Sequence, residues 1–260
     1  MPDTTSVTTR SITIIGDSHI QAIKKALLDR TNAGAKPRIS ALRLTGKKQG
    51  DLTFDEAVAF AAQRGPEDIL AVIRRGNFYN TLALIQHPQA FDLLEPGADA
   101  ADLQEGAELV PHAVMKDFFT STIQSGYVKM HRRLREASPA PVICLEVPPP
   151  KEDAEHIRRS AETFFVQNNI AEAGVTPAPI RLKLWKLQQS ALAASCHELG
   201  IDYLPSPAGT RNERGFLRPE FYAPDATHAN AAYGELVLRQ LEAISRTPNA
   251  GLATVQEAIR

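Results

Sequence analysis

Cysteine is scarce in this chain: two residues, Cys144 and Cys196, among 260. So few thiols exclude a disulfide framework, and both read as buried thiols with no motif context for a cysteine nucleophile. No run of about 18 apolar residues occurs, which excludes a membrane-spanning helix. Neither sign of charge dominates: 29 Lys and Arg against 30 Asp and Glu give a net charge of −1. Without a field to draw nucleic acid or an anionic membrane, Arg132-Arg133-Leu134-Arg135 reads as the solvated face of a helix. A G-x-G-x-x-G or Walker loop is missing, so no nucleotide cofactor is expected. H-E-x-x-H and Cys/His clusters are missing too, and His87, His112, His131, His156 and His197 are scattered, so no metal is expected. Residues 1–10 are polar and threonine-rich rather than an apolar signal segment, and a cytoplasmic location is the expectation.

What is present is a hydrophobic fraction of 43%, enough for one domain with a substantial core over residues 11–246, followed by a tail at 247–260. Segments 11–15, 38–44, 68–74, 141–147 and 201–204 are dense in Ile, Val and Leu without clean alternation, as in parallel strands covered on both faces. Helical patterns lie between and after them, at 19–30, 55–64, 113–136, 180–199 and 229–245. This alternation predicts an α/β fold, a three-layer α/β/α sandwich on about five parallel strands. Two connections exceed a minimal crossover. Residues 79–111 hold His87-Pro88, Glu95-Pro96-Gly97 and an acidic cluster, and 148–178 open with three prolines. Both follow strands and are read as loops that set specificity while leaving the chemistry intact. Phe91, Phe118, Phe119, Phe164 and Phe165 read as core.

Two short motifs lie near opposite ends of the chain. Gly16-Asp17-Ser18-His19 follows the run Ile12–Ile15, placing a hydroxyl at the C-terminal lip of a strand. Asp225-Ala226-Thr227-His228 supplies a carboxylate and an imidazole three residues apart. A serine hydroxyl is a weak nucleophile until a base takes its proton, and that base works best when a carboxylate fixes its tautomer. Ser18, His228 and Asp225 have the residue types for those roles. Gly50-Asp51 and Gly76-Asn77 each follow a further predicted strand, on the same lip as Ser18.

Together the four blocks resemble the SGNH (GDSL-like) hydrolase superfamily, in order and approximate spacing from residue 12 to about 240. The stretch His228-Ala-Asn230-Ala-Ala-Tyr-Gly234 also resembles its last block. The resemblance implies a flavodoxin-like strand order, Ser18, Asp225 and His228 as catalytic triad, and an oxyanion hole from the Ser18 and Gly50 backbone N–H groups and the Asn77 amide. Gly46 rivals Gly50. The G-x-S-x-G elbow of α/β-hydrolases is absent, which agrees with this assignment. Departures are His19 where the family usually has Leu, Phe78 where Asp is common, and Arg75 before Gly76 where a small or apolar residue is usual. Asp17, His19, Arg75, Phe78 and Tyr79 are the candidates for substrate contact. Against that, Asp17 is expected to buttress its loop through backbone hydrogen bonds, His19 to point away from the site, and Arg75 to enter a salt bridge.

The reaction implied is hydrolysis of an ester through an acyl-enzyme, without metal or cofactor. A short acyl or O-acetyl ester on a carbohydrate or other small polar molecule is preferred, because the motif-bearing loops are polar. An O-acyltransferase with the same triad, a lipase or thioesterase for longer chains, and an inactive ligand-binding module are the alternatives. Neither nucleic acid nor membrane is an expected partner, and a homo-oligomer is compatible with the sequence.

Overall fold

The computed structural model describes residues 10–35, 38–45, 50–74, 78–99, 103–161 and 163–246. Its strands are β1 Ile12–Gly16, β2 Ile39–Arg43, β3 Ile69–Ile73, β4 Phe91–Asp92, β5 Glu108–Leu109, β6 Val142–Leu145 and β7 Asp202–Leu204. Its helices are α1 Ile20–Asn32, α2 Phe54–Ala62, α3 Asn80–Ala83, α4 His112–Ile123, α5 Lys129–Ala137, α6 Ala154–Arg159, α7 Thr163–Gln167, α8 Ile170–Ala173, α9 Ala178–Glu198 and α10 Ala231–Ser245. No helix among the described residues is long and apolar enough to cross a membrane.

Five strands form one parallel sheet in the order β2-β1-β3-β6-β7, the flavodoxin-like arrangement. All five predicted strands are in it, each within a few residues of its expected limits. Every residue of β1, β3 and β6 is buried, which is why those segments read as dense in apolar residues without clean alternation. α1 packs on α10 as one covering layer; contacts of α2 with α5 and of α4 with α9 join the other. The strand order, which reverses direction at β1, sends helices to both faces of the sheet.

The helix expected over 113–136 is interrupted. A wider π-helical turn, Gln124–Val128, separates α4 from α5. The first long connection adds the two-stranded parallel pair β4–β5, whose buried Asp92 meets Lys183 of α9 at 2.8 Å. α6, α7 and α8 belong to the second. The two connections share a satellite core: Leu84 from the first packs with Ile157, Phe165 and Ile170 from the second, and with Ala226. Hydrogen bonds from Gln86 N to Gly174 O and from Thr176 N to Leu84 O join their backbones. Cys144 and Cys196 are both free and buried, and Phe119 and Phe165 are core, whereas Phe118 is exposed.

Candidate active site

Register fixes the first part of the site. Gly16 pairs with Arg43 of β2 and with Ile73 of β3, so the three strands end at one lip. A Cβ on Gly16 would lie 2.5 Å from the Ile73 carbonyl oxygen, so only glycine fits where the two strands run side by side. Beyond Gly16 the chain turns at once. Asp17 N donates to Ile73 O at 3.2 Å, and Gln21 N donates to Ser18 O at 3.1 Å as α1 begins. Ser18 therefore sits between the end of β1 and the start of α1, half-buried. Arg74 reaches back from the end of β3 to Asp17, with Nε at 3.3 Å from Oδ1. Asp17 is thus braced by a side chain as well as by its backbone.

The exit of β2 folds back on itself, with Asp51 N donating to Arg43 O and Thr45 N donating to Leu52 O. Gly50 lies flush on this turn: a Cβ there would fall 2.6 Å from Thr45 N. The need for glycine is accounted for by that backbone contact, on the same lip as Ser18. Gly46, Arg75, Gly76 and Asn77 lie outside the described residues. Phe78 is partly buried with its ring 6.0 Å from that of Phe118. Tyr79, a candidate for substrate contact, is instead a core residue at 4% exposure, and its backbone N–H donates to Gln188.

The second part is an Asx turn. Asp225 Oδ1 accepts from His228 N at 2.7 Å and from Thr227 N at 3.0 Å, while Oδ2 lies 3.0 Å from His228 Nδ1. The motif is thereby self-orienting: one carboxylate oxygen shapes the turn and the other holds the ring. Burial opposes ionisation of Asp225, but the hydrogen bond and charge of His228 and the two backbone N–H groups outweigh it, holding the carboxyl well below the usual carboxylate range. With Nδ1 directed at Asp225, Nε2 is the nitrogen on the opposite side of the ring, the orientation of a general base.

Asn230 closes the turn. Its side chain accepts from Ala232 N and Tyr233 N as the N-cap of α10, and its amide donates to the carbonyls of Glu220 and Tyr222. Gly234 then allows α10 to touch α1 closely, since a Cβ there would lie 2.2 Å from Ala22 O. Every polar or glycine position of the last block thus has a structural task.

Contact between the two parts runs through His19. Its ring centroid lies 4.8 Å from that of His228, tilted by 54°. The expectation that His19 points away is corrected: the start of α1 turns the ring inward, and His19 is 6% exposed. Burial, and next the neighbouring His228, push its pKa well below 6.5 against an opposing pull from Asp225. Both influences favour the neutral ring. Neither ring nitrogen finds a hydrogen-bond partner among the described residues.

One further group was not legible in the sequence. Lys151, directly after Pro148–Pro150, has a side chain only 1% exposed. Its Nζ donates to the carbonyls of Ala223, at 2.8 Å, and Asp225, and lies 3.1 Å from His156 Nε2. Among the described residues, no group of three or more His, Cys, Asp and Glu side chains is placed to hold a metal.

No protein-family model and no curated protein matches this chain. Solved structures with a related course of chain include a carbohydrate acetylesterase family member from Sinorhizobium meliloti, at 14% identity and TM-score 0.45, covering 91% of this chain and 97% of that one. A second carbohydrate acetylesterase from the same organism aligns at 10% identity and TM-score 0.42, covering 90% of this chain and 96% of that one. A GDSL-like lipase from Bacteroides thetaiotaomicron aligns at 12% identity and TM-score 0.41, covering 96% and 89%.

Proposed function

We propose that this chain is a serine-dependent ester hydrolase of the SGNH type. The observation that carries the reading is the Asp225–His228 pair, joined at 3.0 Å within one turn and packed against the residue that follows Ser18. Ser18 Oγ attacks the ester carbonyl and its proton passes to His228 Nε2. Asp225 holds Nδ1–H and stabilises the imidazolium. The alkoxide leaving group takes the proton from His228, leaving an acyl-enzyme. Water then repeats the sequence, giving the carboxylic acid and free Ser18.

The oxyanion is assigned to the Ser18 and Gly50 backbone N–H groups and the Asn77 amide, each worth about 3 kcal/mol by comparison with single-donor deletions. His19 supports the same chemistry. A neutral ring beside His228 adds no second positive charge when the imidazolium forms, and as a substrate contact it offers one N–H and one lone pair.

The preferred substrate is a short acyl or O-acetyl ester on a polar scaffold, because Asp17, Arg75, Asn77 and Asn80 make the sequence of the motif-bearing loops polar. Hydrolysis of p-nitrophenyl acetate, abolished in Ser18→Ala and His228→Ala, tests the chemistry. An ester series from two to twelve acyl carbons and a panel of acetylated sugars tests the substrate, and a maximum at eight carbons or more moves the reading to a lipase or thioesterase. Transfer products formed with added alcohols reassign the chain as an acyltransferase. Failure of a fluorophosphonate probe to label Ser18 leaves a ligand-binding module.

A further inference from the structure

We propose that Lys151 is a positioning residue for the Asp225–His228 pair, its buried ammonium gripping the loop that carries them by that loop's own carbonyls. The kinetic part of this proposal rests on the reading of Ser18, Asp225 and His228 as a triad; the geometric part does not.

A lysine ammonium removed from water is costly unless its N–H bonds are matched and an anion lies near. Here Nζ donates to Ala223 O at 2.8 Å and to Asp225 O, and lies 3.1 Å from His156 Nε2. His156 Nε2 lies 3.1 Å from Asp225 O as well, so the imidazole touches both the ammonium and the main-chain oxygen that the ammonium holds. The Asp225 carboxylate supplies the anion, with Oδ1 at 4.0 Å, and the Tyr222 ring lies 5.0 Å from Nζ. The grip closes the Asx turn from behind. Asp225 Oδ1 is tied forward to Thr227 N and His228 N, and its main-chain oxygen is tied backward to Lys151.

Lys151 is itself held. Arg181, 1% exposed on α9, donates to the carbonyls of Lys151, at 2.9 Å, and of Glu152, at 2.8 Å, and to Thr176 O. Leu217 N donates to Pro150 O, and Glu152 N donates to the Tyr222 hydroxyl oxygen at 2.9 Å. A chain of contacts therefore runs from α9 through residues 150–152 to residues 222–225. Ala226, between the aspartate and the histidine, is buried in the satellite core of the two long connections. The second connection thus holds the acid–base loop in place, a task beyond selecting substrate.

The test uses the full chain with Lys151→Met, which fills the space but returns no donor. Three quantities are read: the far-downfield proton resonance of the Nδ1–H shared with Asp225, kcat and KM on p-nitrophenyl acetate, and the unfolding midpoint. The resonance reports the geometry of the pair whether or not the protein turns over an ester. We expect it to be lost or displaced, kcat to fall about 10- to 100-fold, as for a misplaced catalytic group, and KM to stay within about twofold. Ethylammonium or propylammonium added to Lys151→Ala should restore part of kcat, and tetramethylammonium, which has no N–H, should not.

A folded Lys151→Met protein with the wild-type resonance and unchanged kcat overturns the proposal. If that variant does not fold, His156→Leu, on the partly exposed side, removes both a contact of the ammonium and a direct contact of the Asp225 carbonyl, and an unchanged resonance and kcat there overturn the claim that this cluster positions the pair. If the wild-type protein hydrolyses no ester, the triad reading fails by itself and the resonance alone decides the role of Lys151.

Discussion

The turn that carries Ser18 and the loop that carries Asp225 and His228 arrive at their places differently. Ser18 lies two residues beyond a strand buried along its whole length and paired on both sides, and its turn inherits its position from the register of β1 with β2 and β3. Asp225 and His228 lie in a stretch between β7 and α10 whose one helical element is the short turn Pro219–Phe221. That stretch is tied down by side chains. Glu146, at the end of β6, accepts from Ser206 N, Ser206 Oγ and Arg211. Lys151 holds its middle and Asn230 its end. The backbone ladder thus places Ser18, whereas polar side chains place Asp225 and His228. Side-chain ties can be removed one at a time, so the comparison is open to experiment.

The largest effect belongs to the chemistry proposed for both regions. Ser18→Ala and His228→Ala should each lower kcat on p-nitrophenyl acetate by about 10⁶-fold, and Asp225→Ala by one to two orders less, following the behaviour of serine triads. The lesser loss follows because Asp225 only orients and stabilises the ring. Equal rates for Ser18→Ala and wild type would remove the basis for comparing the two regions as halves of one site.

The joint between the regions comes next. α1 follows Ser18, α10 follows His228, and the two helices meet at Ala22 and Gly234, with Arg30 paired to Glu235 at 2.7 Å and to Glu242 at 2.6 Å. Gly234→Ala gains about 1 kcal/mol of helix propensity. The new Cβ would, however, lie 2.2 Å from a backbone carbonyl, which cannot rotate away as a side chain could. Overpacking of this kind costs about 1–3 kcal/mol, so a net loss is expected, read as a lower urea midpoint at unchanged m. A stabilised variant would show that the helices are free to separate.

The same contrast decides how much the sequence disclosed. The central strands were legible because burial on both faces favours segments dense in Ile, Val and Leu, as β1 and β3 are; β2 and β7 lie at the edges of the sheet and are partly exposed. The Asp225–His228 turn was legible because its geometry is local, three residues closing on one carboxylate. Lys151 was not: its neighbours Glu152 and Asp153 make it read as part of a charged surface run, and its partners are backbone carbonyls more than 70 residues away. The inward turn of His19 was missed because one histidine at a helix start does not reveal which way it faces. The π-helical turn at Gln124–Val128 escaped for a similar reason, since its residues keep a helical pattern.

A smaller effect concerns pH. Burial is the leading cause that lowers the pKa of both His19 and His131 from 6.5. Between those lowered values and 6.5 the unfolded chain binds more protons than the native one, so stability is complete above about 6.5 and falls as pH drops below it. His19→Leu removes one of the two contributions. Urea midpoints at pH 7.5 and 5.5 should therefore differ less in His19→Leu than in wild type. Equal differences would show that His19 is already solvated in the native protein.

The smallest effect sharpens the comparison most directly, by removing a brace from the region that the sheet already holds. Arg74 pairs with Asp17 at 3.3 Å, the Asp17 side chain remaining 30% exposed. Arg74 is buried, but the Asp17 end of the pair keeps contact with water and can be rehydrated when its partner is lost, so the pair is worth about 1 kcal/mol. Arg74 also lies 5.1 Å over the Phe54 ring, a contact a methionine can partly replace. Meanwhile Asp17 N stays bonded to Ile73 O and Gly16 stays in register with β3, so the strand end that presents Ser18 does not move. Arg74→Met should consequently change kcat by less than about threefold, roughly 0.6 kcal/mol, with fluorophosphonate labelling of Ser18 nearly unchanged. A loss as large as that expected for Lys151→Met would mean that the nucleophile, too, depends on a buried cation and that the sheet register is insufficient to place it.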